Sequence, residues 1–299
     1  MTEIDLRAAR HDDYEDVVSF TEDTWADRDR EDYLPRLYHD WIEGEDRRTV
    51  VAEVDGELAG IAQSVLLSDW EAWNQGLRVH PEHRGEGVSA AITEALFDWA
   101  RRRGATAARI MVFSWNAAGL GQARATGYDP VTEFRWVRPE PDPGAEPGAA
   151  IGADPDAAWR FWTESAAREA LAGLAIDAGE SWALSRLTRA DLRAAADDDR
   201  LLVVQDGGTR GFAHRVREYE REGDSGETTR WAEYGVGAWA DAESGAALLA
   251  AISRDAADRG ADRTRVAIPE TAAAVSDAGR ARAEIADEPD FVLGADLTR

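Results

Sequence analysis

Residues 80 to 89 read HPEHRGEGVS, an arginine and two glycines between a strand-like run and a helix-like one. Gly85 and Gly87 permit backbone conformations and close approaches that a Cβ would block, so successive N–H groups can converge on one point. A helix starting there adds unpaired N–H groups and the positive end of its dipole. The chemistry this suits is the holding of an anion, best a phosphate or pyrophosphate. No Gly-Lys-Ser/Thr follows, so this is not a nucleoside-triphosphate loop, and the missing third glycine rules out a dinucleotide fingerprint. A plain tight turn into a helix would use the same two glycines. His80 and His83 lie close in sequence, but with no third histidine or carboxylate pattern beside them they do not spell a metal site.

The elements that must position this loop are legible from periodicity. A strand at IDLRAA precedes DDYEDVVSFTEDTW, where an aspartate leads into an apolar stripe at helical spacing. EDYLPRLYHDWIEG predicts a second helix with Pro35 in its early turns. RTVVAEV and LAGIAQSVLL flank an Asp55-Gly56 hairpin signal, and NQGLRVH is a further strand leading into the loop. After it, Val88, Ile92, Ala95, Leu96 and Trp99 form one helix face ending at Gly104. A strand AARIMVF, a glycine-weakened helix AAGLGQARAT and a strand EFRWVR complete the first part. Such alternation makes an α/β or α+β domain.

PEPDPGAEPGAAIGADPD, residues 139–156, is rich in proline, glycine and acid without apolar periodicity, and reads as a linker. It separates a domain at 1–138 from one at 157–299. VDGELAGIAQSV in the first and QDGGTRGFAHRV in the second share a hairpin grammar, and EYGVGAW, SGAALLAAISRDAADRG and TRVAIP repeat the order strand, helix, strand. A tandem duplication is the expectation. Where the first part has HPEHRGEGVS the second has WADAESGAAL, without the arginine, so any ability to hold an anion there is expected to be lost.

With 44% hydrophobic residues, the 299-residue chain can bury a sizeable core. It carries 59 acidic and 34 basic residues, a formal charge of −25, and every basic residue is arginine. This composition reads as adaptation to a very salty cytoplasm, where the Debye length shrinks to about 3 Å at 1 M salt; a GC-rich genome with ordinary acidity is the plainer alternative. Nucleic acid is not expected as a partner, since the phosphate backbone needs a basic face and the sequence has none in evidence. The absence of cysteine rules out disulfides and thiolate chemistry. The first residues lack the signature of a signal peptide and no apolar run approaches a membrane span, so a soluble cytoplasmic protein is expected, monomeric or homodimeric.

As a whole, LRVHPEHRGEGVSAAI resembles motif A of the GCN5-related N-acetyltransferases, V-x-P-x-x-R-G-x-G-x-G/A: Val79, Pro81, Arg84, Gly85 and Gly87 fit, with Ser89 in place of the last small residue. WNAAGLGQARATGYDP resembles the family's next motif through Asn116, Gly127 and Tyr128. DYLPRLYHDW, RTVV, QGLRV and RGEGV further resemble the vertebrate histidine N-acetyltransferase group. The resemblance implies a fold of two tandem domains of this family, each a mixed, mostly antiparallel sheet flanked by helices, the second degenerate. It implies acetyl-CoA as co-substrate, and no metal. The backbone of Leu77 and Val79, with Arg78 between them, would meet the pantetheine arm and acetyl carbonyl. The N–H groups of Arg84, Gly85, Glu86, Gly87, Val88 and Ser89 would hold the pyrophosphate, and Asn116 would open the adjoining helix. The tyrosine that protonates the leaving thiolate in many members is replaced by Ala123.

Direct acetyl transfer needs a neutral amine, a path for its proton and a donor where the thioester oxygen becomes negative. By resemblance that donor is the Val79 N–H. For the base, Glu71 is the first candidate, eight residues before Val79 and of the same strand parity, with Asp69 second; either could equally be a solvated acid. Trp25, Tyr33, Tyr38 and His39 lie on the first two helices, which in this family border the acceptor pocket, and Trp73 and Gln75 could face the same cleft; aromatic residues at helical spacing serve a core as readily. The expected activity is acetyl transfer to a small amine, an amino acid's α-amino group among the candidates. An acyl-CoA-binding sensor without turnover and a protein N-acetyltransferase are the alternatives.

Overall fold

Period-two apolar runs alternate with stripes of helical spacing along the first 130 residues, and each becomes the element its period dictates. The structure is a computed structural model that describes residues 3–22, 24, 32–222 and 226–299. In order these are β1 (Ile4–Ala8), α1 (Tyr14–Thr21), α2 (Leu34–Ile42), β2 (Arg47–Val54), β3 (Glu57–Leu66), β4 (Glu71–Val79), α3 (Val88–Arg102), β5 (Ala107–Phe113) and α4 (Ala117–Ala125). Asp55 and Gly56 both take positive φ, 53° and 87°, as the two-residue hairpin between β2 and β3 requires. Pro35 sits in the first turn of α2, where its missing N–H leaves no bond unmade.

The chain divides into two compact units. Unit 1 takes the described residues up to Val112, Asn116–Pro130 and Leu293–Arg299. Its strands order as β1-β2-β3-β4-β5, antiparallel except for β4 against β5. Alternation along β2 divides the core: Val50, Ala52 and Val54 pack with Val88, Ile92 and Leu96 of α3, whereas Val51 packs on the other face with Val17, Leu34, Tyr38 and Trp41 of α1 and α2. The end of the chain returns to this unit, where the Leu297 N–H donates to the Thr106 carbonyl at 2.9 Å. Residues 293–299, which the sequence groups with the second part, thus pack with the first.

Unit 2 takes Phe113–Trp115 and Val131–Val292. Its elements are β6 (Asp129–Arg138, entering the unit at Val131), β7 (Ala150–Gly152), α5 (Pro155–Glu164), α6 (Ala166–Ala170), β8 (Leu174–Ile176), β9 (Leu184–Arg186), α7 (Arg189–Asp197), β10 (Leu201–Gln205), β11 (Thr209–Glu222), β12 (Thr228–Trp239), α8 (Ala242–Asp258), β13 (Arg263–Pro269), α9 (Ala272–Arg280), β14 (Glu284–Ile285) and β15 (Asp290–Asp296), whose last residues belong to unit 1. The strand order is β6-β13-β12-β11-β10-β7, with β12 and β13 parallel and the other pairs antiparallel. Val204, Ala213, Tyr234 and Val266 pack under Leu248 and Ile252 of α8. Residues 139–156, expected as a linker, lie inside this unit: Ile151 pairs with Val204, and the Asp142 N–H donates to the Ser253 carbonyl at 3.1 Å. Proline and glycine there set turns and a short edge strand, which composition alone does not separate from a free tether.

Candidate active site

Gly76 determines the course of β4. It takes φ +65°, and a Cβ on it would lie 2.1 Å from the Trp41 ring. In the ladder with β3, Gln63 faces Gln75 but Ile61 faces Arg78, so β4 carries one extra residue at a bulge. The register with β5 is short, running only from Glu71 opposite Ala107 to Trp73 opposite Arg109. Beyond Trp73, β4 continues to Val79 outside that ladder, leaving the backbone of Leu77 and Val79 open on this side. An isolated glycine inside a strand pattern was the sequence signal for this bulge.

The strand feeds the glycine loop, whose residues Arg84 to Gly87 are exposed while Val88 is buried under α3. Gly85 and Gly87 have φ +83° and +94°, and a Cβ at Gly85 would have open space around it; backbone conformation, not crowding, demands glycine. Gly87 is the N-cap of α3 and offers no side chain to its first turn. Among the described residues no acceptor meets the N–H groups from Gly85 to Ser89, and the Arg84 guanidinium has no ion-pair partner. The Glu86 carboxylate turns aside to His83 Nδ1 at 3.1 Å, and His80 Nδ1 accepts the Glu82 N–H at 3.2 Å. The outcome is a set of backbone donors at a helix N-terminus aimed at solvent, which fits an anionic group.

In unit 2 a strand of a parallel pair likewise leads into a helix, and there the helix start is capped. β12 and β13 pair in parallel over Trp231–Tyr234 with Arg263–Val266, and β12 then runs on to Trp239. At the following helix, Asp241 is the N-cap of α8: its Oδ1 accepts the Ser244 N–H at 2.9 Å, and the Ser244 hydroxyl accepts the Asp241 N–H at 3.0 Å. The Ser244 N–H and the Ser244 hydroxyl, both donating to that carboxylate, with Arg210 beside it, hold the Asp241 carboxyl down to about 2. The cap takes up one of the free N–H groups at the start of α8 and sets a carboxylate beside the others, which disfavours an anion there.

The remaining candidate residues separate. Glu71 is not a free base: it is buried and pairs with Arg109 at 2.5 Å. It also stands at the far end of β4, about 26 Å of extended strand from Val79 at about 3.3 Å per residue, and the bulge between them breaks the parity that recommended it. Asp69 lies in the turn before β4, so the same separation applies to it. Trp73 is core, 1% exposed. Gln75 Nε2 donates to Gln63 Oε1 at 2.8 Å, and Gln63 in turn holds the Trp41 carbonyl from buried Nε2. Tyr38 is buried, its hydroxyl donating to the Arg10 carbonyl at 2.7 Å, and desolvation pushes its phenol well above the usual range. Trp25 lies outside the described residues. His39 is exposed, its Nδ1 2.9 Å from His11 Nδ1.

Arg78 turns its side chain away from the loop. Its Nε donates to Asp32 Oδ2 at 2.6 Å, the guanidinium lies over the Tyr33 ring, and Asp32 Oδ1 accepts the Leu34 N–H at the start of α2. The strand with the open backbone is thereby tied to α2, a link that no local spacing signals. Asn116 caps α4, its Oδ1 accepting the Gly119 N–H at 2.9 Å. Ala123 is completely buried, and Tyr128 lies near it in the chain with its hydroxyl 2.7 Å from Asn74 Nδ2; burial pushes that phenol well up.

Comparison with known proteins agrees with this frame. Residues 13–128 match the model of the acetyltransferase (GNAT) family. Histidine N-acetyltransferase of Xenopus tropicalis is 33% identical over 91 residues, 30% of this chain and 27% of that protein. Streptothricin acetyltransferase of Streptomyces lavendulae is 35% identical over 97 residues, 30% of this chain and 49% of that protein. The chain thus spans between about a quarter and a half of the length of these curated relatives. A GCN5-related N-acetyltransferase from Sphaerobacter thermophilus, of solved structure, shares the fold over 98% of this chain and 96% of its own, with TM-score 0.60 at 16% identity. The splayed β4, the glycine loop and the capped α4 all lie within the matched region, and residues 13–128 are a domain of the acetyltransferase (GNAT) family.

Proposed function

We propose that the chain is an acetyl-CoA-dependent N-acetyltransferase that transfers the acetyl group directly to the amine of a small molecule, with an amino acid's α-amino group the first candidate. The observation that carries this reading is the uncapped N-terminus of α3, with φ-positive Gly85 and Gly87 and unpaired Arg84, next to a strand whose backbone is open at Leu77 and Val79. In this reading the N–H groups from Arg84 to Ser89 hold the pyrophosphate, Leu77 and Val79 align the pantetheine arm, and α4, capped by Asn116, borders it. Bound acetyl-CoA supplies the activated acetyl group. The Val79 N–H is the donor that stabilises charge on the thioester oxygen. The names of the two relatives point to small acceptors.

Unit 2 is, in the same reading, a degenerate second domain of this family whose helix end is sealed by Asp241. The acidic, lysine-free surface is that of a protein working in a salty cytoplasm, where short-range backbone donors keep their grip while long-range repulsion of an anionic cofactor is screened. Thiol release from acetyl-CoA, measured in molar potassium chloride against free amino acids, polyamines and a peptide N-terminus, tests the activity. Turnover on amino acids supports it, and turnover on the peptide alone replaces it with protein acetylation. A second reading, binding of acyl-CoA without turnover, is favoured by one observation: Ala123 stands, buried, where the family's tyrosine would be. Binding of acetyl-CoA with no product from any amine would select it.

A further inference from the structure

Unit 2 contains an arginine enclosed by aromatic rings. The Arg265 guanidinium lies 4.4 Å from the Trp136 ring centre, 4.5 Å from Trp182 and 5.7 Å from Tyr219. Its Nε donates to Glu233 Oε2 at 2.6 Å. Arg217 addresses the same carboxylate, with Nε 3.6 Å from Glu233 Oε1, and its Nη2 donates to the Asp177 and Glu180 carbonyls. Glu233 is completely buried, and the Arg265 and Arg217 side chains are 10% and 16% exposed. Among the described residues Glu233 is the one carboxylate paired with either guanidinium, so two enclosed cations share one anion.

Two further observations point to a ligand. Among the described residues Trp136 Nε1 is buried with no hydrogen-bond partner, and Arg217 Nε and Glu233 Oε1, also without one, face each other at 3.6 Å, beyond hydrogen-bond reach. Buried donors left over beside an excess of positive charge are disfavoured unless a partner arrives. Trp182, which covers the guanidinium, is 38% exposed and sits at φ +64°, a conformation that a bulky residue adopts at a strained position. A large apolar ring held out to solvent in a left-handed backbone, over a buried cation, is what a ligand wall requires.

We propose that Arg265, Arg217, Trp136 and Trp182 form a binding site for the carboxylate of a small organic molecule, with Trp182 as its exposed wall. The guanidiniums supply the charge-assisted donors and the Trp136 N–H completes them. The site stands on unit 2 alone and does not depend on the acetyltransferase reading. A carboxylate-bearing acceptor and a separate carboxylate effector share this chemistry.

Calorimetric titration of the full chain in molar potassium chloride tests it, with histidine, N-acetylhistidine and histamine as probes, each with and without CoA, which carries no acetyl group to transfer. The expected result is binding of one or both carboxylates, with histamine at least about tenfold weaker. Trp182→Ala, an exposed position that leaves the core intact, is expected to weaken carboxylate binding about tenfold, and Arg217→Gln likewise. Equal binding of histamine and histidine, no binding of either carboxylate, or unchanged affinity in both variants would overturn the proposal. Stronger binding of histidine than of N-acetylhistidine, together with its turnover, identifies the acceptor as the source; binding without turnover identifies an effector. Acetyl-CoA titrated into the same samples reports the glycine loop separately, so failure at one site is distinguishable from failure at the other.

Discussion

Asp241 Oδ1 accepts the Ser244 N–H at 2.9 Å, closing the N-terminus of α8 at the place where α3 presents Gly87 and no side chain. The α3 end leaves its backbone donors without a side-chain cap, and the α8 end has a carboxylate set over it.

Replacing Asp241 by alanine removes a capping box and is expected to lower stability by about 1 kcal/mol, leaving acetyl-CoA affinity unchanged. The pH dependence has a defined sign. The folded carboxyl is depressed to about 2 from an ordinary 3.8, so its contribution is present above pH 4 and lost as pH falls towards 2. Because the group is exposed, that contribution is discounted by solvent screening. Urea unfolding of both proteins between pH 5 and 2 should show their difference shrinking as acid is added.

Gly87→Ala forces a Cβ into φ +94° at the mouth of the loop. Strain of about 1 kcal/mol is expected, relieved by rotating N–H groups off their common point. Acetyl-CoA affinity should drop tenfold or more in a calorimetric titration, with circular dichroism unchanged.

Glu71→Gln leaves Arg109 as an uncompensated buried charge, and a loss of about 3 to 5 kcal/mol is expected on denaturant unfolding. The pH–rate profile of the protein that remains folded should keep its shape, because Glu71 stands far along β4 from Val79. A lost limb in that profile would reinstate Glu71 as the base.

Ala123→Tyr restores the residue type of the family's proton donor at a completely buried position. Overpacking is expected to destabilise the fold by about 1 to 3 kcal/mol. The turnover number should not rise; an increase would show that the phenol reaches the leaving group after all.

At a formal charge of −25 the folded chain repels itself, and salt screens that repulsion. The midpoint of thermal unfolding should rise between dilute buffer and 2 M potassium chloride. A flat response would leave the acidity without a role in salt tolerance.

The element types of the first 130 residues, the hairpin at Asp55-Gly56, the α3 face through Val88, Ile92 and Leu96, and the glycine loop are legible in the chain, because each depends on local periodicity or on the backbone freedom of a single residue. The sequence also contained the contrast between HPEHRGEGVS and WADAESGAAL, since a missing arginine and glycine are visible without coordinates. The fold in three dimensions was needed to see that Glu71 pairs with Arg109, that the bulge at Gly76 reverses strand parity before Val79, and that Arg78 serves Asp32 and α2. It likewise placed 139–156 inside unit 2, returned residues 293–299 to unit 1, and gathered Trp136, Trp182, Arg217, Glu233 and Arg265 into one cluster. These facts depend on partners distant in sequence, and electrostatic and packing partners across a fold leave no period in the chain that could announce them.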